Sequence, residues 1–152
     1  MSDQQPDERL DPRYPQGPDG PSVHELAGGT EAFVELVERF YALVEADEVL
    51  RPLYPDDLEP GKRALALFWA QYWGGPRQYE QERGHPMLRR RHAPFAITPD
   101  GALRWAHHMA QAVRDMRFHA AVEHALLDYV RRFAPQMVNS HPEDELPVRG
   151  QD

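Results

Sequence analysis

The feature that most constrains the fold is a helical spacing of apolar residues in four separate segments. In the first segment, six apolar residues between positions 33 and 44 recur three or four residues apart, which places them on one face of a helix. The other three segments cover about 60–73, 98–113 and 118–134. No segment alternates apolar and polar residues over a length typical of a strand. The sequence therefore predicts an all-α fold.

Start and stop residues agree with these four helices. Thr30 is a suitable N-cap for the first helix, and Thr98 is one for the third. Pro60 lies at the start of the second helix, where a proline is tolerated. Gly74-Gly75-Pro76 follows that helix and predicts its end, because proline cannot continue it. Pro135 is expected to end or kink the fourth helix.

Both ends of the 152-residue chain differ in composition from its middle. Residues 1–22 contain five of the fifteen prolines and little apolar bulk. Residues 141–152 are rich in proline and acidic residues. Such segments bury too little apolar surface to offset the entropy lost on ordering. We expect two disordered tails and one folded domain over 23–140.

Composition excludes several classes of function. The chain has no cysteine, which excludes disulfides, thiolate-ligated metals and cysteine nucleophiles. Its formal net charge of −8 disfavours nucleic acid and anionic membranes as partners. The sequence contains no long apolar run and its N-terminus lacks the pattern of a signal peptide. We therefore expect a cytoplasmic protein.

Two predicted connections, 47–59 and 74–97, are long for a helical bundle. Long ordered connections in compact domains often carry function or wrap a ligand. A short helical turn over 86–92 is predicted inside the second connection. These lengths favour a ligand inside the domain.

Three aromatic residues on predicted core faces or in the first connection carry polar hydrogens: Tyr41, Tyr54 and Trp105. Each needs a hydrogen-bond partner when buried. One interpretation is an ordinary core that needs volume. The other is a set of donors that converge on a polar or polarisable ligand.

Among the eight histidines, His92 differs because it ends the short turn within the long connection. No HExxH motif or pair of histidines on one helical face predicts a multi-histidine metal site. A single histidine is sufficient as the protein ligand of a pentacoordinate haem, although a histidine that only packs or faces solvent is the alternative. The preceding arginines, 89–91, favour either a solvated face or pairing of one arginine with a haem propionate.

The motifs of this chain, taken together, resemble the truncated haemoglobins of group II. They are Phe40-Tyr41, LRPLYP over 50–55, QYWGGP over 71–76 and RGHPMLRRRHAPF over 83–95. The resemblance covers about residues 24–140. It implies a two-over-two helical sandwich around haem b, with His92 as the proximal iron ligand.

The same resemblance implies roles for other residues. Tyr41, Tyr54 and Trp105 would be distal hydrogen-bond donors, and Leu65 and Phe68 would be apolar walls of the distal pocket. Gly61 falls where ordinary globins carry a distal histidine. Arg91 is the arginine expected to pair with a propionate, because it directly precedes His92.

The function expected from the resemblance is binding of dioxygen and other diatomic ligands at a pentacoordinate haem iron, with slow ligand release and redox turnover. A nitric-oxide dioxygenase or haem peroxidase, served by an unidentified reductase, is the alternative within the family. A helical interaction module without a cofactor is the alternative from another class. A monomer and a homodimer are both compatible with the sequence.

Overall fold

The computed structural model describes residues 11–92 and 95–141, without the side chains of Arg89 and Arg90. Residues 142–152 of the predicted C-terminal tail, which begins at 141, and the first ten residues lie outside this part. Residues 11–22, which the sequence places in the N-terminal tail, form successive turns, and Val23 N–H donates to the Arg13 carbonyl at 2.8 Å. The domain boundaries themselves stay predictions.

The described part of the chain contains seven α-helices and no strand. In chain order they are α1 (Val23–Ala27), α2 (Thr30–Glu45), α3 (Glu59–Tyr72), α4 (Gln78–Arg83), α5 (Leu88–His92), α6 (Pro99–Asp115) and α7 (Ala120–Gln136). A short 3₁₀ turn, Arg51–Leu53, lies between α2 and α3. No helix in this part is both long and apolar enough to cross a bilayer. The all-α prediction is confirmed.

The four long helices pack as two pairs. Helix α2 packs against α3, α6 packs against α7, and α2 also contacts α6, which joins the pairs. The core between them consists of large side chains that are almost fully buried. These include Phe33, Leu36, Phe40, Trp69, Trp73, Met109 and Leu126. Burial of this apolar surface stabilises the arrangement.

The observed ends of α3 and the start of α6 agree with the start and stop residues predicted from the sequence. Pro60 lies in the first turn of α3, and Gly74 follows that helix with a φ of 100°. Thr98 caps α6, since its side-chain oxygen accepts from Gly101 N–H at 3.0 Å. The Thr98 hydrogen bond satisfies one of the amide groups that the first turn of a helix leaves free.

Two helix ends differ from the predictions. The N-cap of α2 is Gly29, because the Thr30 hydroxyl lies 2.8 Å from Nε2 of His24 instead of capping the helix. Helix α7 continues through Pro135 to Gln136. Since Pro135 lies in the last turn, its missing N–H removes one hydrogen bond without stopping the helix earlier.

Candidate functional site

A cavity of about 180 Å³ lies where the loop after α2, the end of α5, and helices α6 and α7 meet. Three residues predicted to form the site line it: His92, Tyr54 and Trp105. The other lining side chains are mostly apolar. They include Leu50, Leu53, Phe95, Ile97, Phe133 and Met137. The cavity therefore combines an apolar wall with one imidazole and two aromatic hydrogen-bond donors.

The His92 ring is held by its own helix. Its Nδ1 lies 2.6 Å from the carbonyl oxygen of Leu88, one turn earlier in α5. A carbonyl oxygen only accepts hydrogen bonds, so Nδ1 carries the proton and donates it. In a neutral ring this leaves the Nε2 lone pair available to a metal. The ring of Phe133 packs against the imidazole with centroids 6.4 Å apart.

Asn139 connects the backbone on both sides of the segment that follows His92. Its side chain donates to the His92 carbonyl at 3.3 Å and accepts from Ile97 N–H at 2.8 Å. Its own N–H donates to the Ile97 carbonyl at 2.9 Å. Asn139 follows α7, so these contacts fix the end of α5 relative to the last helix.

Tyr54 and Trp105 form the polar part of the cavity wall. Burial raises the pKa of the Tyr54 hydroxyl, the neighbouring Tyr41 raises it further, and a hydrogen bond with the Trp105 side chain partly opposes both effects. Tyr54 therefore remains a protonated phenol at neutral pH. Trp105 is fixed by the rings of Phe40 and Phe133, whose centroids lie 5.6 and 5.4 Å away.

Tyr41 lies behind Tyr54 and does not line the cavity. The two rings meet edge to face with centroids 5.6 Å apart. Tyr41 is 5% exposed, and burial raises its pKa to about 12, although the nearby Lys62 opposes this effect. Gly61 is not among the residues that line the cavity. It lies against Tyr41, since a Cβ at position 61 would be 2.8 Å from the Tyr41 hydroxyl oxygen.

Leu65 and Phe68, expected as apolar walls, are not among the residues that line this cavity. Phe68 is buried between the rings of Tyr72 and Tyr79, with centroid distances of 6.1 and 5.5 Å. Leu65 is partly buried against the hydrophobic core. Their role at a ligand stays a prediction.

The Arg91 guanidinium binds the preceding loop instead of lining the cavity. It donates to the carbonyls of Pro86 at 2.7 Å, Arg83 at 2.9 Å and His85 at 3.4 Å. These bonds use the Nε and Nη2 donors of Arg91 and hold its side chain against the loop. Its pairing with a haem propionate stays a prediction. The side chains of Arg89 and Arg90 lie outside the described part.

The residues at this site fit a haem. A haem needs one axial nitrogen and an apolar pocket from a protein, and the cavity offers the free Nε2 of His92 within a mostly apolar wall. The described residues contain no cluster of three histidine or acidic side chains that could hold a bare metal ion. The donor set thus matches a metal that brings its own macrocycle.

Sequence reasoning missed Asn139 and Phe133, which contact His92, and Asp47, which binds Arg104 and His108 on α6. Phe133 is one of the apolar residues of the predicted fourth helix, about 118–134, and its spacing alone does not indicate a contact with His92. Asn139 lies beside the predicted tail, and its partners are 42 and 47 residues away in sequence. An aspartate just after a helix is itself a turn signal, but this signal does not reveal the partners of Asp47 on α6.

Comparison with known proteins agrees with this geometry. The family model described as "Bacterial-like globin" matches residues 22–139. The group 2 truncated haemoglobin YjbI of Bacillus subtilis is 38% identical over 111 residues, which are 73% of this chain and 84% of that protein.

Two solved structures of bacterial haemoglobins are also similar. The one from Chloroflexus aurantiacus has a TM-score of 0.77 and 45% identity, and the match covers 78% of this chain and 98% of that chain. The one from Thermobifida fusca has a TM-score of 0.75 and 47% identity, and the match covers 77% of this chain and 96% of that chain.

Fold and site together define a haem-binding globin. The chain belongs to the bacterial-like globin family, and its relatives place it with the group 2 truncated haemoglobins. The resemblance inferred from the motifs and the two-over-two fold that it implies are both confirmed.

Proposed function

We propose that the chain binds haem b through Nε2 of His92 and holds dioxygen and other diatomic ligands at the haem iron. The observation that carries the proposal is the hydrogen bond from His92 Nδ1 to the Leu88 carbonyl. It fixes the tautomer and the ring orientation, and it raises the basicity of Nε2. When bound, haem supplies an iron centre with one open position for a diatomic ligand.

The other cavity residues support this function through polarity and packing. The Tyr54 hydroxyl can donate a hydrogen bond to a small polar ligand, and the Trp105 indole can donate its single N–H either to the Tyr54 oxygen or to that ligand. The apolar side chains around them exclude water, which strengthens such hydrogen bonds. This combination favours slow release of a ligand that accepts hydrogen bonds.

Titration of the haem-free chain with hemin tests the proposal. We expect one equivalent to bind and a Soret band to appear. His92→Gly should lose tight binding, and added imidazole should restore the wild-type spectrum by occupying the vacated volume. The matched control is His124→Ala, since His124 is exposed on α7. Unchanged affinity and spectrum in His92→Gly without imidazole would overturn the assignment.

Binding of the diatomic ligand needs its own measurement. The reduced, haem-loaded chain is mixed with dioxygen and then with excess carbon monoxide, and the absorbance change gives the dissociation rate of dioxygen. A reduced chain that shows no spectral change with either gas would exclude the proposed function.

A further inference from the structure

The most deeply buried charged side chain in the described part belongs to Asp47, which has 8% of its surface exposed. A buried carboxylate is costly unless it is paired and hydrogen-bonded. Asp47 follows α2 by two residues and begins the loop that leads to Tyr54. Its partners come from two separate parts of the chain.

On one side, Asp47 organises its own loop. Its Oδ1 accepts from Val49 N–H at 2.8 Å and from Leu50 N–H at 3.1 Å. The Leu50 side chain is buried and lines the cavity. These bonds fix the backbone a few residues before Tyr54.

On the other side, Asp47 binds helix α6. His108 Nε2 donates to Oδ2 at 2.7 Å, and Arg104 donates to Oδ1 at 3.2 Å. Arg104 is also held by Asp100 on the same helix, at 2.8 Å. The next residue after Arg104 is Trp105, so the contact lies directly beside the tryptophan of the cavity wall.

We propose that Asp47 is a positioning residue that sets how the Tyr54 hydroxyl meets the Trp105 indole. Its carboxylate joins the loop that carries Tyr54 to the helix that carries Trp105. Side chains on different elements keep a fixed separation only when the elements are fixed to each other. The effect on bound gases rests on the proposed function, whereas the effect on the two aromatic side chains does not.

Asp47→Asn tests the proposal because it keeps the size of the side chain and removes the charge. The amide group has one carbonyl oxygen, so it cannot serve the loop amides, Arg104 and His108 together. The chain has three tryptophans, so a ¹H–¹⁵N spectrum contains three indole signals, and Trp105→Phe identifies the signal of Trp105. We expect Asp47→Asn to displace that signal by more than its line width and to leave Trp69 and Trp73 in place.

A control variant separates positioning from general loss of stability. Ser22→Ala also removes a buried hydrogen-bonding group, the cap of α1, but Ser22 lies beside Gly74 rather than beside the cavity. It should lower the unfolding midpoint and leave the Trp105 signal at its wild-type position. A Trp105 signal that moves equally in Ser22→Ala and Asp47→Asn would overturn the proposal.

A double variant tests the route through Tyr54. In Tyr54→Phe the indole has lost its phenol partner, so adding Asp47→Asn should move the Trp105 signal less than it does in the wild type. If Asp47→Asn does not fold, His108→Leu takes its place, because it removes one of the two α6 donors. A Trp105 signal at the wild-type position in the folded variant contradicts the proposal.

The carbon monoxide complex extends the test to the ligand. Its C–O stretching band reports hydrogen bonds from the cavity wall, and we expect Asp47→Asn to shift or broaden this band. Failure of the proposed function would leave the wild type without haem and without a band, and the indole signals would still decide the role of Asp47. A wild-type band in a haem-loaded Asp47→Asn variant would overturn the effect of Asp47 on bound gases.

Discussion

The backbone of Gly61 lies so close to the hydroxyl of Tyr41 that a Cβ at position 61 would be 2.8 Å from the hydroxyl oxygen. The tyrosine cannot easily move away. Its ring is packed edge to face against Phe40 and Tyr54, at centroid distances of 5.5 and 5.6 Å. Glycine at this place in α3 thus leaves room for a phenol in the core.

Gly61→Ala should therefore destabilise the protein. Overpacking of this kind costs about 1–3 kcal/mol. In a Tyr41→Phe background the clashing oxygen is absent, so the same change should be neutral or stabilising, because alanine exceeds glycine in helix propensity by about 0.5–1 kcal/mol. Urea unfolding of the four proteins measures the difference. Equal destabilisation in both backgrounds would show that the close contact has no energetic role.

Trp105→Phe should release dioxygen faster than the wild type. A hydrogen bond to a charged partner contributes about 1.5–3 kcal/mol, which is on the order of tenfold to a hundredfold in rate. Tyr41→Phe should have a smaller effect, because Tyr41 lies behind Tyr54 and not on the cavity wall. Dissociation rates of the reduced forms compare the three proteins. A wild-type rate in Trp105→Phe would make the tryptophan a wall of the pocket and nothing more.

Asn139→Ala should speed haem loss. The change removes two side-chain hydrogen bonds, to the His92 carbonyl and from Ile97 N–H, each of about 0.5–1.5 kcal/mol. We expect haem transfer to an excess of a haem-free acceptor globin to accelerate on the order of tenfold. Asn139→Asp keeps the acceptor for Ile97 but not the donor to His92, so it should give an intermediate rate. Transfer at the wild-type rate from the alanine variant would contradict a role in holding His92.

The stability contributed by Asp47 should depend on pH. The hydrogen bond from His108 lowers the pKa of its carboxyl most, burial opposes this, and the loop amides and Arg104 lower the pKa further. Because the pKa is lower in the folded state, this stability is fully present above the unfolded value of about 4 and is lost as the pH falls through the folded value. The unfolding free energies of wild type and Asp47→Asn should differ by a constant amount near pH 6 and converge in acid. A gap that stays constant down to pH values of about 3 would contradict this assignment.

The long helices could be predicted because each repeats its apolar residues over three or more turns, as Phe33 to Val44 does in α2. Helices α1 and α4 have five and six residues, too few for a period to be visible. Their formation depends on local caps and on packing against the rest of the chain. The capping box of Ser22 and Glu25 was nevertheless present in the sequence as a readable start signal.

The site was predictable where one motif carries the chemistry, and was not where distant segments meet. His92 could be selected from the motif over 83–95, and Trp105 from its place on the apolar face of the third predicted helix. The contact between Asp47 and His108 joins residues 61 positions apart, and it exists only because α2 and α6 pack together. The acceptors of Arg91 show the same limit, since a sequence does not reveal which carbonyls a turn leaves exposed.

The acceptors of Arg91 are main-chain carbonyls, those of residues 83, 85 and 86. Every amino acid supplies such a carbonyl, so the loop can exchange its side chains and still be bound, provided that its path is unchanged. The arginine itself has no substitute, because no other side chain offers several donors in one rigid plane. A library randomised over these positions should therefore tolerate wide variation in the loop and almost none at position 91.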